Sequence, residues 1–176
     1  MTEPWKIPNS PWRDEKAYLN WLRGSVRRIW SRHPVKISYK QARRYKAPVG
    51  RNNKDVWVSD CELCGAAHRE CQVDHLSGGF GFNDWQSFCE WAKMILWVTF
   101  EDIRELCPDC HSIVSLSQRQ GLSLEESRIE KAVISICKAK QDKVWLEQRG
   151  IVPLGNAKLR REQIKKEMLN EAIAIR

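Results

Sequence analysis

Apolar side chains recur at helical spacing at Tyr18, Leu19, Leu22, Val26, Ile29 and Trp30, which predicts an amphipathic helix in the N-terminal part of the chain. Ser10-Pro11 followed by Asp14 and Glu15 supplies its start: a capping residue, a proline in the first turn, and acids at the positive end of the helix dipole. Pro34 disfavours helical backbone at the residue before it, so this helix should end near His33. A very basic segment covers Ser38 to Lys46, and Pro48-Val49-Gly50-Arg51-Asn52-Asn53-Lys54 has turn composition. From Asp55 the character changes. Val56-Trp57-Val58 reads as a short strand, Cys71 to Leu76 as another that stops at Ser77-Gly78-Gly79, and Ile103 to Leu106 as a returning one. Asp84 caps a helix that carries Trp85, Phe88, Cys89, Ala92, Ile95 and Leu96 on one face. Pro108 sits just inside another, which carries Cys110 and His111. Ser123 with Glu126 forms a capping box for a helix to about Lys140. Gly150, Pro153 and Gly155 make a hinge, and Asn156 caps a last basic helix running to the C-terminus. Strands grouped between helices predict an α+β fold.

The chain of 176 residues is long enough to bury one core, with small helical arms. With 30% charged and 42% hydrophobic residues it reads as a globular rather than a disordered protein. The longest apolar run, Met94 to Val98, is far short of a membrane span, and Met-Thr-Glu-Pro-Trp-Lys offers no signal-peptide core. No membrane partner is expected, and the cytoplasm is the expected compartment. A net charge of +8 points instead to a polyanionic partner, most simply nucleic acid. The cations cluster twice. Arg27, Arg28, Arg32, Lys36, Lys40, Arg43, Arg44, Lys46, Arg51 and Lys54 form one group; Lys158, Arg160, Arg161, Lys165 and Lys166 form the other. Each can be a solvated helix face or a phosphate-binding one.

Seven cysteines are an odd number, and a reducing compartment makes a disulfide framework a poor explanation. Cys61-Glu-Leu-Cys64-Gly65 and Cys107-Pro-Asp-Cys110 carry two Cys-x-x-Cys pairs with 42 residues between them. The two-residue gap lets both thiolates of a pair reach one ion from a tight turn, and two pairs complete a tetrahedral zinc site. A redox dithiol needs only one pair, commonly in a βαβ setting that is absent from the pattern. Cys71, Cys89 and Cys137 have no partner at ligand spacing, and Cys89 and Cys137 read as core thiols. A four-cysteine zinc leaves no open position, so it is structural and not the catalyst.

Asp74-His75 ends a strand between the two pairs, and His111 follows the last cysteine on a helix. A carboxylate and an imidazole can bind one hard divalent ion such as Mg2+, while a neighbouring neutral imidazole takes a proton from water. The competing readings are a surface Asp-His pair or strand cap, and a structural hydrogen bond for His111. His33 and His68 read as surface residues.

Together, Cys61-x-x-Cys64-Gly65, Val73-Asp74-His75, Gly78-Gly79 and Leu106-Cys107-x-x-Cys110-His111 resemble the HNH (ββα-metal) nuclease pattern over about Cys61 to Leu116. The resemblance is closest to free-standing phage HNH endonucleases of the homing type, whose Trp-containing helical insertion is similar to Asp84 to Val98 here. It implies a zinc-stapled, treble-clef-like ββα-metal core with flanking helices. The parts would be an N-terminal helical basic region over 1–54, the nuclease core over 55–122, and a C-terminal helical basic region over 123–176. By motif position it implies His75 as general base and Asp74 and His111 as ligands of a catalytic divalent cation. Asp102 stands where the pattern has its middle Asn, and Val114 where it often has Lys. The expected function is hydrolysis of DNA phosphodiester bonds, as a nick or a double-strand break, in the host cytoplasm if phage-encoded. DNA is the partner, and no small-molecule substrate is expected. The alternatives are a zinc-stabilised DNA-binding protein with a decayed nuclease centre, and an interaction protein using the zinc knuckle. Sequence specificity would sit in Ser38 to Lys54 and the C-terminal helix. Of the nine tryptophans, Trp5, Trp12, Trp21 and Trp30 are expected to pack a helical layer on the core.

Overall fold

In the computed structural model, which describes residues 2–49, 51–78 and 81–174, the N-terminal apolar spacing forms helix α1 (Glu15–Ser31). Its cap is Asp14 rather than Ser10. Asp14 Oδ1 accepts the Ala17 amide at 2.8 Å, whereas Ser10 Oγ donates to the Pro4 carbonyl at 2.9 Å in the preceding turn. The charged acceptor nearest the orphan amides takes them. Pro34 ends α1 as expected but also opens a second helix, α2 (Pro34–Arg43), because a proline is tolerated in a first turn. The basic segment from Ser38 is therefore the second half of α2 together with strand β1 (Tyr45–Ala47).

β1 pairs antiparallel with β2 (Val56–Asp60), setting Lys46 opposite Trp57, and β2 pairs with β3 (Ala67–His68). Asn52 and Asn53, with φ of 58° and 56°, turn the chain between β1 and β2 in the left-handed conformation that Asn tolerates. A second sheet joins β4 (Gln72–His75) to β5 (Ile103–Leu106), antiparallel, with Asp74 opposite Arg104 and His75 opposite Ile103. Between them lies α3 (Trp85–Leu96), held at its start by a reciprocal Asp84–Ser87 capping box. β5 leads directly into α4 (Pro108–Gln120).

The chain divides into two compact units between His111 and Ser112. In the first, Leu19 and Val26 of α1 pack with Phe82 and with Phe88 and Trp91 of α3. Burying each such side chain contributes about 1.5–3 kcal/mol. A smaller cluster of Tyr39, Val73 and Ile103, with Trp30 against it, sits under β4 and β5. Trp12 meets Tyr18 edge-on at 4.9 Å and Trp21 at a tilt at 5.3 Å, forming an aromatic group on α1 in which Trp21 stays half exposed, while Trp30 packs on His75.

In the second unit, α5 (Leu124–Lys138), α6 (Asp142–Glu147) and α7 (Ala157–Ala174) enclose Val133, Leu146 and Ile164. The Ser123–Glu126 box caps α5, and Asn156 Oδ1 accepts the Leu159 amide at 2.9 Å to cap α7. Six-residue α6 has too few turns to show a period. Cys137 packs against this core, whereas Cys89 is exposed, on the polar side of α3. Gly50, Gly79 and Ile175-Arg176, read from the sequence as turn, strand stop and helix end, lie outside the described residues. No helix among the described residues is long and apolar enough to cross a membrane.

Candidate metal centre and the adjoining Asp-His site

β2 delivers Cys61 into a tight turn in which the Gly65 amide donates to the Cys61 carbonyl at 2.7 Å. Gly65 adopts φ of 72°, which a side chain would strain. Cys64 lies on this turn; Cys107 and Cys110 lie where β5 passes into α4. Glu62 ties the two halves, its amide donating to the Glu105 carbonyl at 2.9 Å and its Oε1 accepting the Glu105 amide at 2.7 Å. The result gathers the four sulfurs within 4.8 Å of one another. A tetrahedral ion with metal–sulfur bonds of about 2.3 Å needs sulfurs roughly 3.8 Å apart, so the donor set fits a thiolate-loving ion. Amides supply thiolate stabilisation before any ion does. Burial opposes the Cys61 anion, but the Cys107, Cys64 and Leu63 amides outweigh it and bring the thiol to about 6. Burial pushes Cys110 and Cys107 the other way. Cys71, Cys89 and Cys137 stand outside the cluster. His68 does not lie idle on the surface: its Nε2 is 3.8 Å from Cys64 Sγ.

Alternate residues of a strand face opposite ways, and β4 uses this to separate Asp74 from His75. Asp74 faces α4. Its Oδ1 lies 3.6 Å from His111 Nε2, and its Oδ2 accepts from Arg104 Nη2 and Nε at 3.3 and 3.4 Å. Arg104 reaches Asp74 because the two are directly paired across the β4–β5 ladder. An oxygen and a nitrogen bound to one octahedral ion at about 2.0–2.1 Å stand roughly 3 Å apart. Asp74 Oδ1 and His111 Nε2 are therefore a small rotamer adjustment from sharing a hard cation.

His75 turns to the other side of β4, only 9% exposed, with its ring centroid 4.3 Å from that of Trp30. Its Nε2 donates to the Ile95 carbonyl at the end of α3 at 3.1 Å, which fixes the tautomer and leaves Nδ1 as the basic nitrogen. Burial holds its pKa below the ordinary value, so the ring is neutral at pH 7. Asp102 reaches none of these side chains by hydrogen bond. Its Oδ2 accepts the Thr99 amide and hydroxyl at 2.7 and 2.8 Å, and its carbonyl accepts the Leu76 amide at 2.9 Å. Those amide and hydroxyl bonds hold its carboxyl below the usual range. Asp102 thus anchors the Thr99 turn and the backbone just after His75.

Comparison of this chain with family models, with curated proteins and with solved structures finds no match. What can be said of the site rests on its own geometry. That geometry joins Asp74 to His111, sets His75 on the opposite face of the same strand, and keeps Asp102 as a loop anchor. Arg104 and Trp30 were not foreseen as site residues. Arg104 becomes visible only once β4 and β5 are paired in register, and Trp30 only once α1 is laid across β4. Val114, at the position where the nuclease pattern often carries Lys, is buried at 2% exposure, so no cation is supplied from there.

Proposed function

We propose that this protein is a metal-dependent DNA endonuclease of the HNH type, with structural zinc in the four-cysteine cluster. The observation that carries the reading is the 3.6 Å approach of Asp74 Oδ1 to His111 Nε2 across a strand–strand–helix unit seated on that cluster. A divalent cation such as Mg2+ held there would stabilise charge on the scissile phosphate and the departing 3′-oxygen. The chain's own groups supply the rest. His75, neutral and held by the Ile95 carbonyl, would be the base: it lies across β4 from Asp74 and His111, so its Nδ1 would have to reach the attacking water around the end of the strand. The water oxygen bonds phosphorus, the bond to the 3′-oxygen breaks, and that oxygen is protonated from solvent. Arg104 neutralises Asp74 before the cation arrives and keeps the carboxylate aimed at His111. Within this class, the resemblance of Asp84 to Val98 to a Trp-containing helical insertion favours the free-standing phage, homing-like type.

The second reading, a zinc-stabilised DNA-binding protein whose nuclease centre has decayed, draws on two observations. Arg104 already fills one oxygen of Asp74, and Trp30 covers His75. Supercoiled plasmid incubated with purified protein and Mg2+ or Mn2+, beside His75→Ala with zinc content measured in both, separates them. Nicking or linearisation by the wild type, lowered by 10² or more in the variant, is expected for a positioned base. DNA binding by both proteins with no cutting by either establishes the second reading instead.

A further inference from the structure

The β1–β2 ribbon carries a group of side chains that the nuclease site does not use. Trp57 is half exposed on β2, and Lys46 is its direct partner on β1. Arg44 precedes β1 by one residue in extended backbone, so it shares the face of Lys46. Both cations are drawn to the ring: Lys46 Nζ stands 5.6 Å and Arg44 Cζ 5.8 Å from its centroid. Beside the ring lies a shallow hollow of about 350 Å³, lined by Arg44, Arg69, Asp55 and Glu70. Arg51 and Lys54 stand exposed on the connection at the end of the ribbon. Among the described residues, none of these five cations lies within ion-pair distance of a carboxylate.

We infer that this ribbon is a single-stranded DNA platform, in which a base stacks on Trp57 while Arg44, Lys46 and the cations of the connection pair with phosphates. The inference rests on the DNA reading above and specifies the form of DNA. Three physical features select this occupant. An exposed indole in an ordered strand spends apolar surface on water, which a stacked base removes. Every base has a π-face, so one tryptophan with flanking cations accepts a strand regardless of sequence. Five unpaired cations against two carboxylates leave an excess of three positive charges, complementary to a phosphate chain. An acidic peptide would satisfy the charges but would leave the ring unstacked. Duplex DNA would satisfy the phosphate contacts but keeps its base faces buried in its own stack.

The test is fluorescence anisotropy of labelled oligothymidylate, and of its duplex with oligodeoxyadenylate, binding the zinc-loaded full chain without Mg2+ or Mn2+. Trp57→Ala is expected to weaken single-strand binding roughly ten-fold, with Trp57→Phe restoring most of it and duplex binding little changed. Arg44→Gln/Lys46→Gln should flatten the dependence of log affinity on log salt by about 1.4, two phosphates at ~0.7 each. Equal single-strand affinity of wild type and Trp57→Ala, at unchanged melting temperature and zinc content, overturns the platform. So does binding of polyglutamate in preference to DNA. Because the assay reads binding without cutting, a failed cleavage experiment and a failed platform give different patterns.

Discussion

The basic ribbon around Trp57 and the basic helix α7 hold their charges differently. In residues 112–176 the basic helix α7 spends its cations on its own fold. Arg160 Nε lies 2.6 Å from Asp142, Lys165 3.0 Å from Glu130, and Arg161 donates to the same Glu130. Glu130 is 8% exposed, so its charge has to be answered from within the protein. In residues 1–111 Arg43 likewise pairs with Glu62 and lies 3.7 Å from buried Glu105, but among the described residues Arg44 and Lys46 of the ribbon are in no ion pair and lean on the Trp57 ring instead. Two clusters that look alike as charge runs therefore differ in what they can give to a partner. Arg44 and Lys46 of the first are in no ion pair; much of the second is structural. The halves differ in cohesion too. The second rests on Val133, Leu146 and Ile164, all at 0% exposure, whereas the first has strands of two to five residues brought together at four cysteines.

The largest effect expected from that contrast follows loss of the metal. Structural zinc in small cysteine sites is linked to roughly 10–16 kcal/mol of apparent binding energy at pH 7. Chelation, or Cys107→Ser, should unfold the strand region of the first half while the helices of the second persist. Amide hydrogen exchange resolved by peptide reads this directly: protection is lost across β2, β4 and β5 and kept across α5 and α7. Protection lost equally in both halves would mean that they do not fold independently.

The converse substitution probes the other core. Ile164 is fully buried between α5, α6 and α7, so Ile164→Ala should cost about 2–5 kcal/mol, the usual sum of transfer and cavity terms. Denaturant melts followed by helical circular dichroism should show the destabilisation, with zinc content of the protein unchanged. A loss of zinc in this variant would break the proposed separation of the halves.

Much of the frame was legible in the sequence because it is written locally. Asp84, Ser123 and Asn156 act as caps, and the apolar rows of α1 and α3 form in part: Leu19, Val26 and Phe88 are buried, whereas Ile29, Trp85 and Cys89 are exposed and Trp91 takes a core place. The two Cys-x-x-Cys pairs carry their own geometry and do converge. What could not be read depends on which strands pair. Arg104 meets Asp74 only through the β4–β5 register, and Lys46 meets Trp57 only through β1–β2. β1 and β3, three and two residues long, are too short to show alternation at all. The basic cluster of α7 looked open because the carboxylates that answer it, Asp142 and Glu130, lie 18 to 35 positions away in the chain. A serine before a proline is a strong local cap signal, but the fold uses Asp14, the carboxylate nearer the amides.

The smallest predicted effect tests whether the cations of α7 are indeed committed. Burial opposes the charge on Glu130, but hydrogen bonds from Lys165 and Arg161 outweigh it and hold the pKa below the ordinary carboxylate value. Asp142 is lowered as well, by its bond to Arg160. A carboxyl that is more acidic folded than unfolded contributes stability above its unfolded pKa, and that contribution fades as pH falls through its folded pKa. Stability of the second half should therefore be level from pH 7 to about 4.5 and decline below it, by the share these two groups supply. Glu130→Gln should flatten part of that decline and lower stability at pH 7 by about 1 kcal/mol. The cost is modest because Arg161 and Lys165, 45% and 38% exposed, can turn to water. The same variant releases those two cations, so its affinity for duplex DNA at low salt should rise a few-fold, the sign opposite to that of losing Arg44 and Lys46. An unchanged DNA affinity, with the acid slope flattened as expected, would place the freed cations out of reach of DNA and leave the ribbon as the basic surface that matters.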